Sequence, residues 1–150
     1  MVGSFLIFSE KTLDNEALNY GGEILKQRTK TLGDAGENIA STYLQNKGYN
    51  ILARNFRYGR NAEVDIIAEF DGAIIFVEVK TRRNQKFGTP AEAVNMQKQK
   101  KIIMAAMKFL QDQGLFDRLC RFDVIEIFAN NDENHVGWKI NHILNAFEIN

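Results

Sequence analysis

The sequence predicts a single α/β domain, a small sandwich around a central mixed β-sheet flanked by helices. Three observations carry this. Residues 34–47 repeat apolar side chains at helical spacing, residues 49–81 hold alternating and β-branched runs around Asp71-Gly72, and a second helical pattern leads into the apolar strand Phe122–Phe128. A length of 150 residues suits one hydrophobic core, and 45% apolar with 25% charged residues is the composition of a globular domain.

Residues 1–30 mix the short apolar run Phe5–Phe8 with Asn15, Asn19, Gly21 and Gly22, and read as an N-terminal extension of uncertain structure before a domain at 31–150. Over 34–47, Ile39, Ala40, Tyr43 and Leu44 form one helix face and Gly48 is the stop. Gly36 and Ala40 are small residues one turn apart, so this face can pack close to a sheet. Glu37 is one turn before Ala40 and faces either the buried side or the helix dipole. A first strand starts at Tyr49, and 54–61, with three arginines, Asn55 and Gly59, reads as an irregular strand end or turn. Residues 62–69 and 74–81 are strands joined by Asp71-Gly72, a strong hairpin signal that makes them antiparallel neighbours. Thr89-Pro90-Ala91-Glu92 reads as a capped helix start, with the helix running to about Leu110 and Gly114 beyond its end. Asn130–Asn134 reads as a polar turn and Val136–Ile143 as a last strand or edge.

Composition bounds the function. Phe5–Phe8 is too short for a signal core, and no run approaches the ~20 apolar residues of a membrane span, so a cytoplasmic location without a membrane partner is expected. Cys120 stands alone, which excludes an internal disulfide. Nineteen basic and nineteen acidic residues balance, which argues against a protein that coats nucleic acid by net charge. The distribution is uneven: Lys80, Arg82, Arg83, Lys86, Lys98, Lys100 and Lys101 crowd one stretch, and Arg54, Arg57 and Arg60 another. Solvated helix and loop charge is the plainer account; a basic rim is the functional one.

The chemistry concentrates in Glu63-Val64-Asp65 and Glu78-Val79-Lys80. Charged side chains in such apolar strands are costly unless paired or bound to an ion. Strand alternation puts Glu63 with Asp65, and Glu78 with Lys80, on single faces. Across the hairpin, Asp65 and Glu78 could hold one hard cation, Mg2+ suiting two carboxylates best, with Glu63 a supporting or alternative ligand. Lys80 would orient a water or neutralise charge on a phosphate, and Glu37 could reach the same centre. A structural ion-pair network uses the same letters. His135 and His142 lack cysteine partners for zinc, and Gln97 and Gln99 read as solvated helix residues.

Gly33–Leu44 (GDAGENIASTYL), Gly48–Arg57 (GYNILARNFR), Glu63–Ile67 (EVDII), Phe76–Arg82 (FVEVKTR), Phe87-Gly88, Arg121–Val124 and Asn145–Phe147 occur in the order and spacing of a known group. Over roughly 33–147 the chain resembles the YraN-like bacterial proteins. That resemblance implies a restriction-endonuclease-like sandwich of the PD-(D/E)xK class, similar to archaeal Holliday-junction resolvases, as an endonuclease-like domain at 31–150. It puts Asp65 in the aspartate position, Glu78 and Lys80 in the (D/E)xK element, and Glu37 in the helix-one glutamate position. Ala62 replaces a glycine of the family pattern while the acids are kept. The implied activity is Mg2+-dependent (Mn2+ as substitute) hydrolysis of DNA phosphodiester bonds, at branched or junction structures, by a homodimer. Arg57, Arg60, Arg82, Arg83, Lys98 and Lys101 would contact the nucleic acid, with RNA as another candidate. The competing expectation is a non-catalytic nucleic-acid-binding or protein-interaction module with a vestigial site.

Overall fold

The computed structural model describes residues 4–9, 24–82, 94–132 and 135–149, with side chains from 32 onward except 129–136. The elements are β1 (Ser4–Ser9), α1 (Ile24–Asn46), β2 (Asn50–Tyr58), β3 (Ala62–Phe70), β4 (Ala73–Arg82), α2 (Met96–Gln113), β5 (Cys120–Asp132) and β6 (His135–Phe147). Six strands form one sheet in the order β1-β6-β5-β4-β3-β2. All neighbours are antiparallel except β4 and β5, which run parallel because α2 carries the chain back between them. The expected α/β class and mixed sheet are therefore observed.

The helix ends follow local chemistry. Gly48 takes a positive φ of 89°, and the Tyr49 and Gly48 amides donate to the Leu44 and Gln45 carbonyls, closing α1 with a Schellman pair. Asn95 caps α2 by accepting the Lys98 amide at 2.9 Å, and Gly114 (φ 65°) ends it. The cap expected at Thr89 lies outside the described residues. α1 begins ten residues before the expected start, since a mid-helix Gly33 costs only about 1 kcal/mol against Ala and meets no neighbour. Asp71 (φ 49°) and Gly72 (φ 78°) make the two-residue turn of the β3–β4 hairpin, with Phe70 opposite Ala73. The irregular strand end or turn expected over 54–61 is observed as an irregular end of β2, with Asn55 at φ 50° and Phe56 packed edge-on against Phe109, followed by a turn at 59–61.

Two apolar layers cover the sheet. Ala40, Tyr43 and Leu44 of α1 pack on Ile66, Ala68, Ile75, Val77, Ile125, Ile127 and Ile140. Ile102, Ala105, Ala106, Phe109 and Leu110 of α2 pack on Val64, Ile67, Ile74, Phe76, Phe122 and Val124. The strict alternation of β3 is interrupted: Ala62 and Val64 face α2, yet Ile66 and Ala68 face α1. β2 changes faces opposite the same place, since Ala53 and Phe56, three residues apart, both belong to the α2 side. Between Arg54↔Ile66 and Phe56↔Val64 sit Asn55, with φ 50°, and Asp65. A concerted kink of two strands thus singles out Asp65.

Beneath α1 lies a buried polar network. The Asp123 carboxylate, 0% exposed, accepts both Arg121 Nε and Nη2 at 2.8 Å, the Asn145 amide at 3.0 Å, and His142 Nε2 at 2.8 Å. With Nε2 donating, His142 Nδ1 accepts the Tyr43 hydroxyl at 3.3 Å. Asn145 (φ 50°) marks the register shift that lets β6 run on to Phe147. Burial pushes the Asp123 carboxyl up, but His142, Arg121 and the Asn145 amide outweigh burial and hold it below its ordinary value. Its stabilisation is therefore complete above the unfolded-state pKa, about 3.9, and lost as pH falls below that. Asp123→Ala should cost ~3 kcal/mol, as breaking a buried ion pair does, in urea denaturation at pH 7. The gap between the two proteins should narrow as the pH is lowered below about 4.

Candidate functional site

The kink opens the β3–β4 ladder. Pairing runs from Phe70↔Ala73 to Ile66↔Val77, and in the same register Asp65 stands opposite Glu78. There the Asp65 side chain replaces a main-chain acceptor: its Oδ2 takes the Val79 amide at 2.7 Å. Glu78 is 4% exposed. Its Oε1 faces two ammonium groups, Lys80 Nζ at 3.4 Å and Lys98 Nζ at 3.3 Å. Its Oε2 is buried without a hydrogen-bond partner. Burial first, then the neighbouring Glu78 charge, push the Asp65 carboxyl up to about 7, against the lowering influence of the Val79 amide and Lys98.

On the α1 side a cleft of about 380 Å³ reaches this pair, lined by Leu32, Gly33 and Glu37 of α1 and by Asp65, Glu78, Val79 and Thr81. Burial raises the Glu37 pKa; a hydrogen bond with the Asn55 side chain and the Arg54 charge oppose this, while Asp65 adds to it. Arg54 Nη2 lies 3.8 Å from Glu37 Oε2 and donates to Asn38 Oδ1 at 2.9 Å. The helix approaches so closely because of Gly36: a Cβ there would lie 2.0 Å from Thr81 Oγ1.

Four expected residues thus converge, Glu37, Asp65, Glu78 and Lys80. Glu63 stands apart, its Oε1 accepting from Arg57 Nε at 3.1 Å. Like Asp65, Glu63 points away from the α2 layer that holds Ala62 and Val64, but Arg57 takes its carboxylate and it does not line the cleft. Lys98, assigned from sequence to the nucleic-acid rim, touches Glu78. Arg82 lies 3.4 Å from the buried Glu126, which also accepts Asn141 Nδ2 at 2.9 Å. Arg60 and Lys101 are exposed, and Arg83 lies outside the described residues. Sequence reasoning missed Asn55 and Glu126. A signal for Lys98 existed: Val94, Lys98 and Ile102 fall at four-residue spacing, and the first and last are buried.

Among the described residues no three His, Cys, Asp or Glu side chains form a ready metal cage. The donors present nonetheless suit a hard cation that keeps most of its waters. They are two carboxylates across a hairpin, one with an unpartnered buried oxygen and the other disfavoured as a bare anion beside it.

Two outcomes follow. Gly36→Ala should destabilise the protein by about 1–3 kcal/mol, the usual cost of overpacking. Thr81→Ala should recover part of that loss in a double-mutant cycle followed by urea denaturation. A carboxyl raised from its unfolded value binds its proton more tightly in the folded state, so stability conferred by protonated Asp65 falls as pH rises from about 4 to 7. In metal-free buffer the melting temperature of Asp65→Asn should therefore gain on the parent between pH 5 and pH 8.

Comparison with known proteins agrees with the sequence resemblance. The model of the uncharacterised protein family UPF0102 matches residues 36–127. A UPF0102 protein of Caldanaerobacter subterraneus subsp. tengcongensis is 44% identical over 122 residues, 81% of this chain and 98% of that protein. One from Clostridioides difficile is 46% identical over 118 residues, covering 79% and 97%. One from Caldicellulosiruptor saccharolyticus is 48% identical over 118 residues, covering 79% and 98%. No helix among the described residues is long and apolar enough to cross a membrane. With the family model matched over most of the chain and these relatives spanned almost end to end, the chain belongs to the UPF0102, or YraN-like, family.

Proposed function

We propose that the protein is a Mg2+-dependent endonuclease that hydrolyses DNA phosphodiester bonds on a restriction-endonuclease-like, PD-(D/E)xK scaffold, acting in the cytoplasm at branched or junction structures. The observation that carries this reading is the Asp65–Glu78 pair across the opened hairpin, with Glu78 Oε2 unpartnered and Lys80 at 3.4 Å. Asp65 and Glu78 would hold the ion, which when bound polarises the scissile phosphate and lowers the pKa of the attacking water; Mn2+ has the same preference for oxygen donors. Lys80 would orient that water and offset charge developing on the phosphate oxygens. Glu37 closes the cleft from α1 as a third carboxylate.

Of the cations assigned to the DNA backbone, Arg57, Arg60 and Lys101 are exposed; Arg82, half-buried beside Glu126, and Arg83, outside the described residues, complete the set. Backbone contacts of this kind orient a duplex without reading its bases. Cutting the two strands of a junction requires two centres, which a C2 homodimer supplies.

The test is a cleavage assay on linear, single-stranded, flap and four-way DNA with Mg2+ or Mn2+. The parent protein should cut, with branched substrates preferred, and Asp65→Ala and Glu78→Ala should each lose at least about a hundredfold in rate. Cleavage by either variant at the parent rate would sink the proposal. Salt-dependent binding to DNA or RNA without turnover would instead identify a binding module.

A further inference from the structure

We propose that Lys98 is a positioning residue for the cation site: it pins one oxygen of Glu78 so that the other is presented as a ligand. The inference rests on the metal-site reading above and deepens it. Lys80, two residues from Glu78 on the same strand, is the lysine that the sequence motif supplies. Lys98 comes from another element, the first turn of α2, and its ammonium lies 3.3 Å from the same Oε1 that Lys80 approaches at 3.4 Å.

The asymmetry of Glu78 is the informative feature. Both cations meet Oε1, while the buried Oε2 meets neither lysine. A carboxylate needed only for an ion pair would share its two oxygens between two ammonium groups, which would also keep the two like charges apart. Here both lysines are gathered on one side and Oε2 is left for something else. Oε2 belongs to a residue that lines the cleft with Asp65. A divalent cation in the cleft supplies the missing partner.

Lys98 is built to hold its place. Asn95 caps its amide at 2.9 Å, and Gln99 Nε2 donates to the Val94 carbonyl at 2.9 Å, which fixes the first turn of the helix. Val94 and Ile102, one turn to either side, are buried. The Lys98 stem can therefore pack along apolar surface while its head, with the side chain 32% exposed, reaches Glu78. Partners that orient metal ligands in this way commonly contribute 10–100-fold to metal affinity.

Calorimetric titration of the full chain with Mn2+ at pH 7, without DNA, tests this. Lys98→Met keeps the stem and removes the charge; it should weaken Mn2+ binding by about tenfold or more, and Lys98→Arg should restore most of the loss. Lys100→Met, which removes an equal charge from an exposed site on the same helix, should bind like the parent, and Asp65→Asn should abolish the heat and so assign it to this site. A lysine that merely neutralises Glu78 predicts the opposite sign, since removing a cation beside a metal site tightens binding. Unchanged or tighter binding by Lys98→Met would overturn the inference, as would absence of Mn2+ binding by the parent protein. Mn2+ binding that follows the expected series in a protein that cuts no DNA would refute the nuclease reading alone.

Discussion

The hydrogen bond from the Val79 amide to the Asp65 carboxylate is the interaction on which the centre depends. Elsewhere in the β3–β4 hairpin, main chain meets main chain. At this one place a side chain takes over the acceptor role, so the strands can part without stranding a buried amide, which would cost ~1–3 kcal/mol. The parting lets Glu78 reach the cleft and draws its charge close to that of Asp65. Burial first, and the Glu78 charge second, disfavour Asp65 as a bare anion and push its pKa up to about 7. The opening of the sheet and the meeting of the two carboxylates thus have one origin.

Around this opening the fold is rigid on both sides. The α1 layer is fixed by the Asp123 network, in which one fully buried carboxylate satisfies two residues and a main-chain amide at the β6 irregularity. The α2 layer is an aromatic and aliphatic core, with Phe76 stacked on Phe122 and Phe122 on Phe147. Within β2 and β3 the left-handed conformation is taken by Asn55 alone. Gly36 completes the frame, because the distance from α1 to β4 is set by a side chain that is missing.

Local chemistry made much of this legible in the sequence. Asp71-Gly72 announces its turn because few residue pairs accept two positive φ values, and the apolar spacing of Ile39–Leu44 and Ile102–Leu110 needs no tertiary knowledge. Asp65, Glu78 and Lys80 were found because charges are rare in strands otherwise made of Val, Ile and Phe. What escaped depends on contacts between distant segments. Period-two reasoning puts Glu63 on the face of Asp65, and only the pairing of β2 with β3, which sets Arg57 opposite Glu63, shows that its carboxylate is taken. Asn95 caps α2 without the following Pro and Glu that make Thr89–Glu92 conspicuous, so the sequence alone does not single it out. Lys98 resembled any solvated lysine until the packing of α2 brought it to Glu78. The six residues of β1 gain their meaning from pairing with Gly137–His142, more than a hundred positions away.

The irregularity at Asn55 has a second effect, at the border of the sheet. β2 is an outermost strand, and a regular, apolar outermost strand would offer its free amides and carbonyls to any other chain with the same need. β2 instead carries a register shift between Ile51 and Ala53, a left-handed residue at 55, and the charges of Arg54 and Arg57. Each spoils the template for another strand to join. The deformation that brings Asp65 to the cleft also makes the sheet's border a poor template for aggregation, so one departure from ideal β geometry has consequences both inside the molecule and at its edge.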